Sequence, residues 1–292
     1  MKQSLFLSIL ASVLLVTACN INPTPLDIDI PEPEQQLVVS SFSIPPQELA
    51  LIFSRTFSAL YSQSDSTFLD DDDLLNEILV DSGLVILRYV GINDTLKRLA
   101  PGVYVSLNAQ QIDNERYTLL ARDYKTGKSI SAETVLLPPV PLDSVESTLS
   151  PLGGGSDSTY SFEARFNDPA GVANYYLLTY TNFSDFEQVQ SGYTAGVFNF
   201  KPAQFAVFTD QNQGDGNDIN YNPLYSGAKN DTLVVALSNI TKDYYDYLTA
   251  YKRSGNLFSQ LIGEPINLPS NVQGGYGYFA MIRPKIKLVI LR

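Results

Sequence analysis

Alternation with a period of two runs through most of the chain. Tyr160, Phe162, Ala164 and Phe166 share one parity while Ser161, Glu163 and Arg165 take the other, the signature of a strand with one face in a core. Leu49, Leu51, Phe53, Phe57 and Ala59 likewise share a parity against Ser54, Thr56 and Ser58. A helix opening at Pro46-Gln47-Glu48 is the competing reading of that stretch. Further strands are predicted over 36–42, 84–90, 102–107, 117–123 and 129–137, with Lys125-Thr126-Gly127-Lys128 as a turn. A second series covers 142–149, 175–181, 198–208, 232–238, 277–281 and 285–291. Polar stretches at 62–73 and 210–222 read as loops.

Helical spacing appears twice. Asp72 can cap a short helix ending near Leu79, with Leu74, Leu75, Ile78 and Leu79 on one side. The stronger case lies near 241–253. Thr241 or Asp243 can cap it, and Tyr244, Leu248 and Tyr251 fall at i, i+4 and i+7. Lys252 and Arg253 suit its C-terminal dipole, and Gly255 can end it. Between the two series stands Pro138-Pro139-Val140-Pro141. Proline has no N–H for a sheet ladder, so this run marks a boundary near 140. The expected fold is all-β, with two β-sandwich-like domains at 35–140 and 141–292. The first is read as Ig-like or regulatory-domain-like, and the second carries the one short helix.

The N-terminal 34 residues follow another logic. Lys2 precedes an apolar run over 5–16, and Val16-Thr17-Ala18-Cys19 follows. The run is too short to span a bilayer as a helix and reads as a signal peptide over 1–18. Small residues before a cysteine resemble a bacterial lipobox, which makes Cys19 the expected lipid attachment point. Pro23, Pro25, Pro31 and Pro33 then favour extended backbone over 19–34. At roughly 3 Å per residue this tether reaches up to about 45 Å.

Composition narrows the chemistry. The 292 residues contain no His and one Cys, so Ser-His-Asp and Cys-His nucleophile systems, His-ligated metals and disulfides within the chain are all excluded. The formal charge is −12, which argues against nucleic acid as a partner. Carboxylate pairs remain in principle, but none is marked by spacing, and no catalytic residue is assigned. The expectation is a protein that is not an enzyme. The best cation candidate is the loop holding Asp210, Asn212, Asp215 and Asp218, whose alternating oxygen donors and glycines suit calcium. It departs from the EF-hand template, with Asp215 where glycine is required and Tyr221 where a bidentate Glu is required. No other cofactor is implied. Asp70, Asp71, Asp72 and Asp73 form a second acidic run, read as a solvated loop and helix start. Tyr244, Tyr245, Tyr247, Tyr276 and Tyr278 are candidates for an aromatic contact surface.

Several segments carry a resemblance. Leu26-Asp27-Ile28-Asp29-Ile30-Pro31-Glu32-Pro33 leads into Leu37-Val38-Val39, and Pro101-Gly102-Val103-Tyr104 precedes a Tyr-bearing strand. Leu137-Pro138-Pro139-Val140-Pro141-Leu142-Asp143-Ser144 marks mid-chain, and Phe166-Asn167-Asp168-Pro169 precedes Asn174-Tyr175-Tyr176. Asp243-Tyr244-Tyr245-Asp246-Tyr247-Leu248 is followed by Pro269-Ser270-Asn271-Val272 and Gly274-Gly275-Tyr276-Gly277-Tyr278-Phe279. In this order they resemble the DUF4249 family of Bacteroidota outer-membrane lipoproteins. The resemblance implies no catalytic residues, since the family has no assigned function. It implies a lipid-anchored outer-membrane protein that accompanies a TonB-dependent, SusC-like nutrient transporter. A free-standing surface module binding glycan, peptide or another cell surface is the alternative. The membrane face stays open, because Asn20, Ile21 and Asn22 are neutral where such surface lipoproteins carry acids. The strand at 285–291 also runs beyond the glycine-aromatic segment where the family's pattern is expected to end.

Overall fold

The computed structural model of the chain describes residues 34–44, 47–56, 77–150, 158–184, 204–212, 216–254 and 268–292. Among these, strands dominate, and one helix exceeds a single turn. The fold is all-β and sandwich-like.

Two five-stranded sheets enclose the first core. One has the order β17-β1-β2-β6-β5, built from Gly275–Tyr278, Leu37–Ile44, Gln47–Arg55, Val103–Ser106 and Lys97–Ala100. The other has the order β16-β8-β7-β3-β4, built from Val272–Gln273, Ser129–Val135, Arg116–Asp123, Gly83–Tyr89 and Ile92–Thr95. The alternating positions seen in the sequence face each other across this core. Leu37, Val39, Leu49, Leu51, Phe53 and Tyr104 come from one sheet; Val85, Leu87, Tyr117, Leu119, Ala121 and Ile130 come from the other. The Phe53 and Tyr104 rings meet edge to face at 6.0 Å, and Tyr89 stacks on Tyr117 at 5.3 Å. The strand reading of 47–55 therefore prevails over the helix reading. Glu77 and Ile78 are helical and Leu79 bridges to Ser54; the rest of that short helix, and the loop over 62–73, lie outside the described residues.

The second core lies between two four-stranded sheets. In one, β10 (Ser158–Asn167) pairs with β9 (Ser144–Leu149) on one side and with β13 (Asp218–Tyr221) and β14 (Leu224–Gly227) on the other. The other has the order β12-β11-β15-β18, from Gln204–Thr209, Tyr175–Asn182, Thr232–Ile240 and Lys285–Ile290. Tyr160, Phe162 and Phe166 pack against Tyr176, Leu178, Leu233, Val235 and Leu237. This second sheet is covered on both faces. Leu177 and Ile240 lie in a third cluster with Tyr244, Tyr247 and Leu248 of the helix α1 (Lys242–Ser254), and Phe205 and Val207 pack against it. Burial on both faces accounts for the unbroken apolar run over 233–237. Thr241 Oγ1 accepts the Tyr244 N–H at 3.3 Å, so Thr241 is the cap.

Several short stretches differ from expectation, among them β14, which lies where no strand is predicted between 222 and 232. Residues 92–100 contain β4 and β5, which the sequence reading passed over. Within 210–222, read as one polar loop, the chain forms a 3-10 turn (Asp210–Asn212) and β13. The glycine-aromatic strand covers Gly275–Tyr278 rather than 277–281.

Candidate functional site

The glycine-aromatic segment sits where the two cores meet. Val272–Gln273 pairs antiparallel with β8, through Val272↔Ala132, while Gly275–Tyr278 pairs parallel with β1, through Leu37↔Gly275 and Val39↔Gly277. One short segment thus adds an edge strand to each sheet of the first sandwich and clasps that edge shut. A Cβ on Gly277, where φ is +99°, would collide with the Val39 carbonyl. At this position the backbones approach too closely for any side chain. Asn271 fastens the clasp: its Nδ2 donates to Glu133 O at 2.8 Å and Phe279 O at 2.7 Å, and its Oδ1 accepts the Phe279 N–H at 2.9 Å.

Beyond the clasp the chain alternates between cores. Phe279 and Met281 enter the first. Tyr278, Ala280 and Ile282 turn to the helix cluster. Tyr278 lies 5.1 Å from Tyr244 and 4.9 Å from Tyr247, ring centre to ring centre. Burial pushes the phenols of Tyr247 and Tyr278 up to about 12, with a Thr241 hydrogen bond pulling Tyr278 slightly back. Tyr244 is raised too, first by burial and then by its tyrosine neighbours. Of the five tyrosines proposed as a contact surface, Tyr244, Tyr247 and Tyr278 are therefore buried packing groups. The helix needs an apolar stripe to dock; Tyr244, Tyr247 and Leu248 supply it, and Tyr278 of β17 packs against them. Tyr245 is half-buried against Tyr175, 5.1 Å away. Tyr276 is exposed at 40%.

The loop over 210–218 is likewise built into the fold. Asp210 is buried; its carboxylate accepts the Asn174 N–H at 2.8 Å and the Thr209 hydroxyl at 3.1 Å. Asp218 is exposed and accepts from Asn167 Nδ2 at 3.0 Å. Asp215 and the Asn212 side chain lie outside the described residues. Beside Asp210 is Asp168, also buried, which accepts hydrogen bonds from the Tyr176 hydroxyl, from Asn174 Nδ2 at 3.2 Å and from the Gly216 N–H at 3.0 Å. Burial, then Asp168, drives the Tyr176 phenol far up. Among the described residues no group of three or more His, Cys, Asp or Glu is placed to hold a metal ion. The carboxylates described here organise loop backbone.

A second polar centre escaped the sequence reading. Arg55 and Asp123 form a buried, two-pronged ion pair, Nε to Oδ2 at 2.7 Å and Nη2 to Oδ1 at 2.9 Å. Arg55 Nη1 also donates to the carbonyls of Glu77 at 3.0 Å and Leu79 at 3.2 Å. Burial alone would raise the Asp123 carboxyl; bonds from Arg55, Thr126 and the Lys125 N–H outweigh it and bring it to about 2. The available signal was parity: Arg55 follows Leu49, Leu51 and Phe53, and Asp123 follows Tyr117, Leu119 and Ala121. Both charges fall on inward positions. Thr126 of the Lys125-Thr126-Gly127 turn serves this pair, donating to Asp123 at 2.8 Å.

Cys19, the tether over 19–33 and the acidic run over 70–73 lie outside the described residues. No helix among the described residues is long and apolar enough to cross a membrane. A family model described as "Domain of unknown function (DUF4249)" matches residues 23–285. No curated protein matches the chain.

Proposed function

The chain belongs to the DUF4249 family, and on that premise we propose that it is a lipid-anchored outer-membrane accessory protein, the non-catalytic partner of a TonB-dependent, SusC-like nutrient transporter. The observation that carries this reading is Val16-Thr17-Ala18-Cys19 at the end of an apolar run, with the only cysteine of the chain in the position a lipid requires. Several acyl chains on one residue hold a protein at a bilayer where a single chain holds only marginally. The proline-rich tether then gives way, at Glu34, to the strand-built body. The first strand of that body is held on both sides, by β2 and by the C-terminal clasp.

Detergent extraction of the outer membrane followed by affinity purification tests the proposal. A β-barrel receptor recovered in constant ratio with the protein is the expected result. Recovery of the protein alone, under conditions that preserve other envelope complexes, counts against it.

A further inference from the structure

The outer face of the β16-β8-β7-β3-β4 sheet carries charge of the opposite sign to the molecule as a whole. On β7 the core takes Tyr117, Leu119 and Ala121, which turns Arg116, Thr118, Leu120 and Arg122 outward. The ladder fixes their neighbours on that face. Leu84 lies beside Arg122, Ile86 beside Leu120, and Arg88 and Glu133 on either side of Thr118. Leu84, Ile86 and Leu120 are half-buried and form an aliphatic centre. Arg88 and Arg122 stand exposed on opposite sides of it. They are four rungs apart along neighbouring strands, about 14 Å between Cα atoms.

Three arginines and one carboxylate share this face, on a chain of 19 basic and 31 acidic residues. The carboxylate, Glu133, is taken by Arg116, whose Nη1 lies 3.1 Å from its Oε2. Arg88 and Arg122 make no ion pair among the described residues. Directly beside them in the ladder lie Asn93 and Thr118 for Arg88, and Leu84 and Ser129 for Arg122, none of them acidic. Two guanidiniums are thus left uncompensated, and each offers the planar fork of donors that fits a carboxylate.

We propose that this sheet face is a docking surface for a partner protein that presents carboxylates around an apolar patch. Charge complementarity names the occupant: the centre excludes water, and the arginines beside it pair with acids across the contact. The sheet plane measures roughly 19 Å across its five strands and roughly 20 Å along β7. That is less than the roughly 800 Å² a side of a long-lived complex, so the contact is a transient one, brought about by opposite charge. A second copy of this chain fits poorly, since face to face it sets three arginines and one glutamate against the same set. A bilayer or a glycan fits poorly too. No Trp, Tyr or Phe lies on the face to sit among headgroups or to stack on a sugar ring. The inference deepens the proposed function and rests on it in one respect, that the partner is sought in the envelope.

The test is a photo-crosslinking amino acid at position 118 of the full chain in cells, with exposed Val172 as the control position. The crosslinked protein and peptide are identified by mass spectrometry. Position 118 is expected to join one different protein, through a peptide that carries Asp or Glu beside apolar residues, and position 172 is expected not to. The double variant Arg88→Glu, Arg122→Glu should lower the yield about five-fold or more without changing the melting temperature. The pair Arg88→Gln, Arg122→Gln, which removes charge without reversing it, should lower the yield less, so that misfolding of the Glu pair cannot mimic the result. Replacing the partner's carboxylates by lysine should restore the yield of the Glu pair. No crosslink at 118, crosslinks only to a second copy or only to lipid or glycan, or a yield indifferent to charge reversal overturn the proposal. The two readings fail separately. A receptor that co-purifies but does not crosslink to 118 removes the docking face and leaves the function. A crosslinked, charge-dependent partner that is not a transporter keeps the face and removes the function.

Discussion

Replacing Gly277 by alanine measures how tightly the C-terminal clasp holds the first sandwich. Gly277 has φ +99°, and a Cβ there lies 2.8 Å from the Val39 carbonyl carbon and 3.1 Å from its nitrogen, closer still to its oxygen. Alanine must first hold a positive φ, at about 1–2 kcal/mol. It must also push β17 away from β1, weakening two ladder bonds in the Val38–Ser40 register at about 1 kcal/mol each. Together the loss is about 3–4 kcal/mol. Gly91→Ala is the matched control: it shares the positive φ, +74°, but nothing lies within 4 Å of its Cβ, so only the first effect applies. Urea unfolding followed by tyrosine fluorescence compares the two, since the chain has no Trp. The difference between the variants isolates the close approach and is expected at about 2 kcal/mol. Equal destabilisation by both would refute the clasp as a packed part of the first sandwich.

Other outcomes follow from the same geometry. Asp123→Asn leaves the Arg55 guanidinium buried without its counter-charge and should cost about 3–5 kcal/mol in urea unfolding. Because the folded Asp123 carboxyl lies at about 2, below its ordinary value of 3.8, its contribution of about 2 kcal/mol is present above pH 4 and fades as pH falls through 2. The Asn variant should flatten that acid limb. In the alkaline direction the signs reverse. Phenols held at about 12 in Tyr247, Tyr251 and Tyr278 stabilise the fold below pH 10, and that stability is lost as pH rises towards 12. Phenolate absorbance should therefore show a late class of tyrosines that ionise together with unfolding. Tyr278→Ala opens a hole between the clasp and α1 and should cost about 3–5 kcal/mol, with loss of helical circular dichroism before the strand signal.

Much of this architecture was legible in side-chain parity. β7, β10 and β11 are long enough to show a clean inward set, Tyr117-Leu119-Ala121, Tyr160-Phe162-Ala164-Phe166 and Tyr176-Leu178-Tyr180, and the helix announced itself through its cap and tyrosine stripe. β4 and β5 were not legible. They are four-residue strands with mostly polar, exposed side chains, and it is pairing with β3 and β6 that makes them strands. β13 was hidden in the same way among polar residues that β10 orders. The glycine-aromatic segment reads as a strand over 277–281, but its partner is not legible. That pairing depends on a β1 backbone more than 230 residues away, and no local pattern carries that distance. Asp210 reads in the sequence as an oxygen donor of a polar loop, since acidity is visible there and burial is not. Its carboxylate accepts the backbone N–H of Asn174, a donor that would otherwise be buried unsatisfied.

The two polar centres share a physical theme. Each places expensive groups, a guanidinium or carboxylates, where their hydrogen bonds fix backbone that strands alone leave undefined. The Arg55–Asp123 pair ties the end of β2 to the β7–β8 turn. The Asp168–Asn174–Asp210 network closes the β10–β11 connection onto the loop after β12. Tyr278 joins the clasp to the helix.

The lipid anchor is the claim on which the functional account depends. Intact mass of the protein extracted from outer membranes tests it most directly. A chain beginning at Cys19 and carrying acyl groups on that residue is the predicted result. A chain that keeps residues 1–18, or one that begins at an unmodified Cys19 and is found in the aqueous fraction, would contradict it.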